Sequence, residues 1–325
     1  MRDKTAGKIK EVVLKRSVLK ELSAVLCKDI QKPQVGIDAT GCMLNTEQSL
    51  LTSVATMEGL SEIFIISTFH RAMNNLYIQG ATPIGITMSV MLRYGSSEQE
   101  IKQIMRTVTA LCTEHEVSVL GGETSRSRTA SDHIVTIQAL GMKQNTPIIK
   151  DNLYDKQIVM AGNAGMSGTV HIYEKESENL KKYFSEAFLQ GVLPMKGQFS
   201  VKTQRIIAGD VLYAHDVSEG GIFTALWELG EYLNCGMRIS LKDILLSQET
   251  VEISEYFDLN PYLLLSLGCS IYVVQDGKSL VERFEQAGIR AAVIGYLTKE
   301  SDRILDNGEE VRYLEPFKID EVYKV

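Results

Sequence analysis

Cysteine is scarce and unpaired in this chain: Cys27, Cys42, Cys112, Cys235 and Cys269 are the five in 325 residues, and none has a close partner. An odd count without CxxC spacing excludes a disulfide framework and a cysteine-based zinc site. The thiols are expected to be reduced and packed as small apolar groups. Histidine is equally thin, and His70, His115, His133, His171 and His215 show no metal-ligand spacing. No apolar run approaches the roughly 20 residues of a membrane span. The opening MRDKTAGKIKEVVLKR lacks an apolar leader core and a small-residue cleavage site, so a cytoplasmic protein is expected. The net charge of −7, with scattered basic residues, argues against a broad nucleic-acid surface.

What is present is an ordinary globular composition, 44% apolar and 23% charged, long enough for two domains. Residues 9–26 place apolar side chains near a 3.6 period and read as an amphipathic flanking helix. QVGIDATGCML and EIFIIST read as strands, RAMNNLYIQGA as a helix and PIGITMSVML as a strand with Pro83 at its start. Ser97 and Glu100 form a capping box for a helix of about five turns. VSVLGG reads as a strand that breaks at Gly121-Gly122 into a polar loop, and HIVTIQALGMK closes the half as a strand. The order β-β-α-β-α-β-β predicts an α/β (α+β) sandwich with helices on one face.

The pattern lapses around QNTPIIKDNLYDKQ, so the expected division is a helical flank over 1–34, one domain over 35–150 and a second over 151–325. The second half reads as strand, Gly-rich turn and helix in QIVMAGNAGMSGTVHIYE, then helices to 209, then the strand VLYAHD. Asn260-Pro261 marks a helix start, Gly288 a helix stop and Asn307-Gly308 a type I′ hairpin turn.

Three glycine turns carry the chemistry. Gly162, Gly165 and Gly168 lie between a strand and a helix, where amides can meet an anion or merely allow a tight turn. LGGETSRSR adds Glu123, Thr124 and Arg126 to Gly121 and Gly122, and a guanidinium suits phosphate; the alternative is a solvated loop. In HDVSEGG, Ser218 and Glu219 suit a helix start, while His215 and Asp216 are not needed for it. A His-Asp pair in such a turn is either structural or catalytic.

Taken in order, NNL..QGA.P, LGGET, G..GMSGT and HDVSEGG resemble the aminoimidazole ribonucleotide synthetase (PurM-like) superfamily over nearly the whole chain. The second half, HDVSEGGIFTALWELGE above all, is most similar to the HypE-like hydrogenase maturation factors of anaerobic bacteria. The resemblance implies a two-domain PurM-like fold and a homodimer whose N-terminal sheets join into a barrel. ATP with Mg²⁺ would lie in a cleft between chains and domains. It implies metal and phosphate contacts at Asp38, Asn75 and Glu123, and nucleotide contacts at Gly121, Gly122, Thr124, Arg126, Gly162, Gly165, Gly168, Gly220 and Gly221. His215, Asp216 and Glu219 would be the catalytic side chains, and a protein of a maturation pathway a further partner.

Departures from the family pattern bear on charge. GIDAT stands where relatives carry a paired acidic motif, Asn74-Asn75 where they carry ND, and Ser67-Thr68-Phe69 where they carry STD. A neutral ligand holds Mg²⁺ more weakly, so phosphoryl transfer should fall before nucleotide binding does. The sequence reads YKV at 323–325 where the maturation protein carries a cysteine, so a carbamoyl-carrying tail is not expected. Two functions follow: an ATP-dependent phosphoryl-transfer or dehydratase-type enzyme acting on an amide or carboxylate oxygen with weak ATP and Mg²⁺ sites, or a degenerate dimeric scaffold or binding subunit.

Overall fold

The computed structural model describes residues 11–22, 33–59, 61–144, 153–202, 210–316 and 319–325. Its described residues cluster into two compact units, one of 38–144 and one from 153 onward with 33–37 and 11–22. Residues 11–22 are helical, as α1 (Glu11–Leu14), a π-helical turn Lys15–Leu19 and α2 (Lys20–Leu22). The expected helix positions 9–10 and 23–26 lie outside the described residues.

The first unit is a five-stranded sheet in the order β1-β2-β5-β3-β4, with α3 and α4 packed on it. β1 (Thr40–Met43) and β2 (Gln48–Glu58) are antiparallel, and α3 (Glu62–Ile78) leads to β3 (Thr82–Leu92). α4 (Glu98–Glu114) is the crossover to β4 (Ser118–Arg126), which runs parallel to β3, and β5 (Ile134–Gln144) pairs antiparallel with both β2 and β3. The element order is the expected β-β-α-β-α-β-β.

Two local expectations change. EIFIIST is the first half of α3, not a strand: Ser61 precedes it in extended conformation and Glu62 sits in the first turn. A short apolar run reads the same in a strand and in a buried helix, and α3 is buried on most sides between the sheet and α4. The second strand is QSLLTSVATME, whose buried set Leu51, Ser53, Ala55 and Met57 alternates with half-buried Thr52 and exposed Val54, Thr56 and Glu58. Small and polar members obscure its period of two.

The strand at VSVLGG also continues through the glycines to Arg126. A Cβ on Gly122 would lie 2.1 Å from the Met88 carbonyl oxygen, so the glycine serves strand pairing with β3. The capping box holds: Ser97 N donates to Glu100 Oε2 at 2.5 Å and Glu100 N to Ser97 Oγ at 3.3 Å. The Ser97 amide, then its hydroxyl and Arg93, hold the Glu100 carboxyl down to about 2.

The second unit is a seven-stranded sheet in the order β12-β11-β8-β10-β6-β9-β7. Its elements in chain order are β6 (Gln157–Ala161), α5 (Met166–Leu180), α6 (Glu186–Leu189), β7 (Val211–Val217), α7 (Gly221–Leu233), β8 (Gly236–Ser240) and α8 (Gln248–Tyr256). β9 (Cys269–Val274), α9 (Gly277–Gln286), β10 (Ala291–Thr298), β11 (Arg303–Asp306) and β12 (Val311–Tyr313) follow. α7 buries Ile222, Ala225, Leu226 and Leu229 against Ile271, Val273, Met237 and Ile294. Ile222, Leu226 and Leu229 each contribute about 1.5–3 kcal/mol of burial, and the Ala225 methyl less.

The helix start at Asn260-Pro261 is a single 3₁₀ turn, Pro261–Leu263, capped by Asn260 Oδ1 accepting from Tyr262 N. The hairpin at Asn307-Gly308 has a four-residue connection, not a type I′ turn. Only Gly308 takes a positive φ there, and Asn307 Oδ1 accepts from Glu309 N and Glu310 N. Cys112, Cys235 and Cys269 are buried free thiols and Cys42 is a half-buried one; Cys27 lies outside the described residues.

Candidate functional site

In the first unit the candidate residues occupy different faces of one sheet. Asn75 lies on α3, and its Nδ2 donates to Ser53 Oγ at 2.8 Å, on the helix-covered face of β2. Glu123 lies on β4 in register with Ser89, an exposed residue of β3, and so belongs to the opposite face. β2 and β4 are separated by β5 and β3, three strand spacings or roughly 14 Å. One copy of the chain therefore does not bring Asn75 and Glu123 around a single ion.

Asp38 is half-buried just before β1. Among the described residues no group of three or more His, Cys, Asp or Glu is placed to hold a metal. β4 is exposed along nearly its whole length, with Gly121 facing open space, Thr124 exposed and Arg126 Nη2 donating to Ser96 O at 3.3 Å.

In the second unit both glycine turns converge on residues 260–268. Gly162 N donates to Arg290 O at 2.8 Å. Gly165 N donates to Ser266 Oγ at 2.7 Å and Gly168 N to Leu265 O at 2.8 Å, while Leu267 N returns a bond to Ser167 Oγ at 2.8 Å. Gly221 has φ +64°, and a Cβ on it would lie 2.5 Å from the Tyr262 carbonyl oxygen. Ser218 O accepts from Ser266 N and from Gly221 N. The amides expected to face an anion thus already bind the chain's own oxygens.

His215 and Asp216 are neighbours on β7, so their side chains leave the sheet on opposite faces. His215 shares a face with Tyr213 and meets Glu228 of α7, Nε2 to Oε2 at 3.0 Å. Tyr213 stacks on Tyr232 and donates to Gly36 O at 2.6 Å. Asp216 is in register with Ser270, beside Tyr272. Burial first, and then the Asp216 charge, push the Cys269 thiol and the Tyr272 phenol well up. Two neighbours on opposite faces do not form one catalytic pair.

Two residues of this site were not among the sequence candidates. Glu228 lies in the quoted segment, but only the fold brings position 228 back to 215. Asp320 is fully buried and accepts from Gly220 N at 2.6 Å; its signal in sequence is one of two adjacent acids in IDEVYK. Glu219, also buried, accepts from Tyr323 Oη at 3.4 Å. A separate cavity of about 660 Å³ in this unit is lined by Arg238, Lys242 and Asp306 among others and contains none of the candidates.

The family model for the N-terminal domain of AIR synthase related proteins matches residues 66–143, and that for the C-terminal domain matches residues 156–306. The chain belongs to the AIR synthase related proteins. This AIR synthase related chain is 25% identical over 239 residues to a putative hydrogenase expression/formation protein of Methanocaldococcus jannaschii, covering 72% of this chain and 70% of that one. Its fold matches the solved structure of a HypE-HypF complex with a TM-score of 0.71 at 15% identity, over 92% of this chain and 99% of that one. It matches the hydrogenase maturation protein HypE in complex with ATP with a TM-score of 0.68 at 12% identity, over 98% and 97% of the two chains. These likenesses establish the two-domain PurM-like fold. No helix among the described residues is long and apolar enough to cross a membrane.

Proposed function

We propose that this protein is a HypE-like hydrogenase maturation factor that binds ATP and works as a homodimer in the cytoplasm. The observation that carries the reading is similarity over 72% of the chain to a hydrogenase expression/formation protein, together with a fold shared with an ATP-bound HypE. The reaction class that goes with it is phosphorylation of an amide or carboxylate oxygen. A second protein of the same pathway is the partner, on the model of the HypE-HypF complex.

Pairing of two copies is supported by the uncovered face of the N-terminal sheet. Val54, Met91, Val119 and Leu120 are 38–58% exposed there or on the bare β4 edge. A second sheet laid on that face would cover these side chains, and strand pairing along β4 would remove the edge. The cytoplasmic assignment is supported by the free thiols.

The residues of one copy do not fit a resident Mg²⁺. Asn75 offers a neutral oxygen, its amide nitrogen is bonded to Ser53, and Glu123 stands three strands away on the other face. The same observation favours a second reading, a dimeric scaffold or binding subunit that keeps the fold with little or no turnover. Following ADP release by the purified protein with ATP and Mg²⁺, beside sedimentation, separates the two. Turnover above the blank by a dimer supports the enzyme, an inert dimer supports the scaffold, and a monomer at all concentrations contradicts both.

A further inference from the structure

The cavity of about 660 Å³ in the second unit lies apart from the glycine turns, and polar side chains build it. Its floor is the face of β10, β8 and β11 turned away from α7. Met237 and Leu297 belong to the core that α7 covers. Their strand neighbours Arg238 and Tyr296 therefore emerge on the other face, where they stand opposite each other in register. Gln157 of β6 continues this row beyond Tyr296, and Ser240 and Asp306 form the next. α9 packs on β6, β9 and β10 beside the cavity, and Gln157 Oε1 accepts from Gly277 N at the start of that helix at 2.6 Å.

Charges stand at both ends of the floor. At the β8–β11 end Arg238 Nη2 donates to Asp306 Oδ2 at 2.7 Å, and the other oxygen of that carboxylate accepts from Gly308 N at 2.7 Å. This acid is matched within the fold and fixes the guanidinium, whose fork has further N–H groups to give. Lys242, in the turn after β8, lies over Gly308, with Nζ 2.8 Å from where a Cβ of that glycine would be. Its neighbour Asp243 also lines the cavity. At the β6 end stands Asp155, whose amide donates to Leu297 O at 3.0 Å and whose carboxylate is exposed. Among the described residues the side chains of Lys242, Asp243 and Asp155 have no hydrogen-bond or ion-pair partner. With Arg238 and Asp306 joined, the unspent charges are thus one ammonium and two carboxylates.

We infer that this cavity binds a free basic α-amino acid of the lysine or arginine kind. The inference does not rest on the nucleotide reading. Such a ligand carries one carboxylate and two cations, the complement of the unspent set. Lys242 and the Arg238 fork receive the α-carboxylate, Asp243 the α-ammonium next to it, and Asp155 the side-chain cation at the far end. The alkyl stem and the cation cross Tyr296, which is 43% exposed and offers its ring to both. From Arg238 on β8 to Gln157 on β6 is two strand spacings, roughly 10 Å. Extended lysine places its ammonium on the order of 7 Å from its carboxylate carbon, and a hydrogen bond of about 3 Å closes the distance. A purely anionic ligand would meet two unmatched carboxylates, a neutral amino acid would leave Asp155 unpaired, and a diamine would set a like charge against Lys242. The volume falls in the roughly 300–1,000 Å³ of small-molecule sites.

Calorimetry and ligand-observed NMR on the full-length protein, without nucleotide, test this with L-lysine, L-arginine, L-norleucine and L-lysinamide. Lysine or arginine should bind saturably at a single site per chain. Norleucine, which lacks the terminal cation, and lysinamide, which lacks the carboxylate, should each bind about tenfold more weakly. Asp155→Asn should weaken lysine by about tenfold and leave norleucine unchanged, whereas Lys242→Met should weaken both. No binding of either basic amino acid at millimolar concentration overturns the inference, as does equal affinity for lysine and norleucine. Undiminished lysine binding in Asp155→Asn overturns it too, and should that variant fail to fold, undiminished binding in Lys242→Met does the same. ATP titrations of the two variants should match the wild type, so a failure here and a failure of the nucleotide reading are told apart.

Discussion

His215 of β7 and Glu228 of α7 meet at 3.0 Å, Nε2 to Oε2, with the His215 side chain 5% and the Glu228 side chain 20% exposed. The pair ties the strand that leads into the HDVSEGG turn to the helix that leaves it. It fixes which imidazole nitrogen is engaged by the protein, and so the ring's orientation.

Removing the carboxylate should cost stability. Glu228→Ala leaves a buried ring nitrogen without its partner and should lose about 1–3 kcal/mol in urea unfolding. Glu228→Gln keeps a hydrogen-bonding oxygen and should lose less. Equal stability of Glu228→Ala and wild type would show the contact to be idle.

The fold's layout was largely readable, and the places where it was not have physical reasons. The β-β-α-β-α-β-β order holds, although the sequence suggests a strand at EIFIIST, which opens α3, and the second strand is Gln48–Glu58. The apolar run Ile63–Ile66 carries no period, while the buried Ser53 and Ala55 of β2 look polar or neutral on paper. Two of the three expected glycine turns do lie between a strand and a helix, whereas Gly121-Gly122 lies inside β4, and sequence alone does not reveal which oxygens their amides meet. Gly165 meets Ser266 and Gly220 meets Asp320, each about a hundred positions away. His215 and Asp216 look like a pair in a string of letters and part company once they lie in one strand.

Acid sensitivity should centre on His70. Burial first, and then the charge of His115, bring its imidazole down to about 3 from an ordinary 6.5. The neutral ring's contribution is complete above pH 6.5 and is lost as pH falls toward 3, at about 1.4 kcal/mol per unit. Urea midpoints of the wild type should therefore fall between pH 6.5 and 4.5. His70→Gln should show a shallower fall; an identical slope in the two proteins would place the acid sensitivity elsewhere.

Gly221 has no room for a side chain. With φ at +64° and the Tyr262 carbonyl oxygen 2.5 Å from where a Cβ would lie, Gly221→Ala should cost about 2 kcal/mol or more. Thermal or urea unfolding reads this directly. A neutral substitution would mean that the 260–268 segment moves freely away from α7.

Restoring a carboxylate at position 75 probes the metal reading. Asn75→Asp should tighten ATP binding in the presence of Mg²⁺ by several-fold if this position faces the metal and phosphates in the assembled dimer. Without Mg²⁺ the added charge should weaken binding or leave it unchanged. No change in either condition would remove residue 75 from the nucleotide site.

Calorimetric titration of the wild-type protein with ATP, with and without Mg²⁺, tests the central claim most directly. Saturable binding at a fixed number of nucleotides per chain, lost on addition of excess unlabelled ATP analogue, is the predicted result. Absence of heat and of competition at millimolar ATP in both buffers would contradict it.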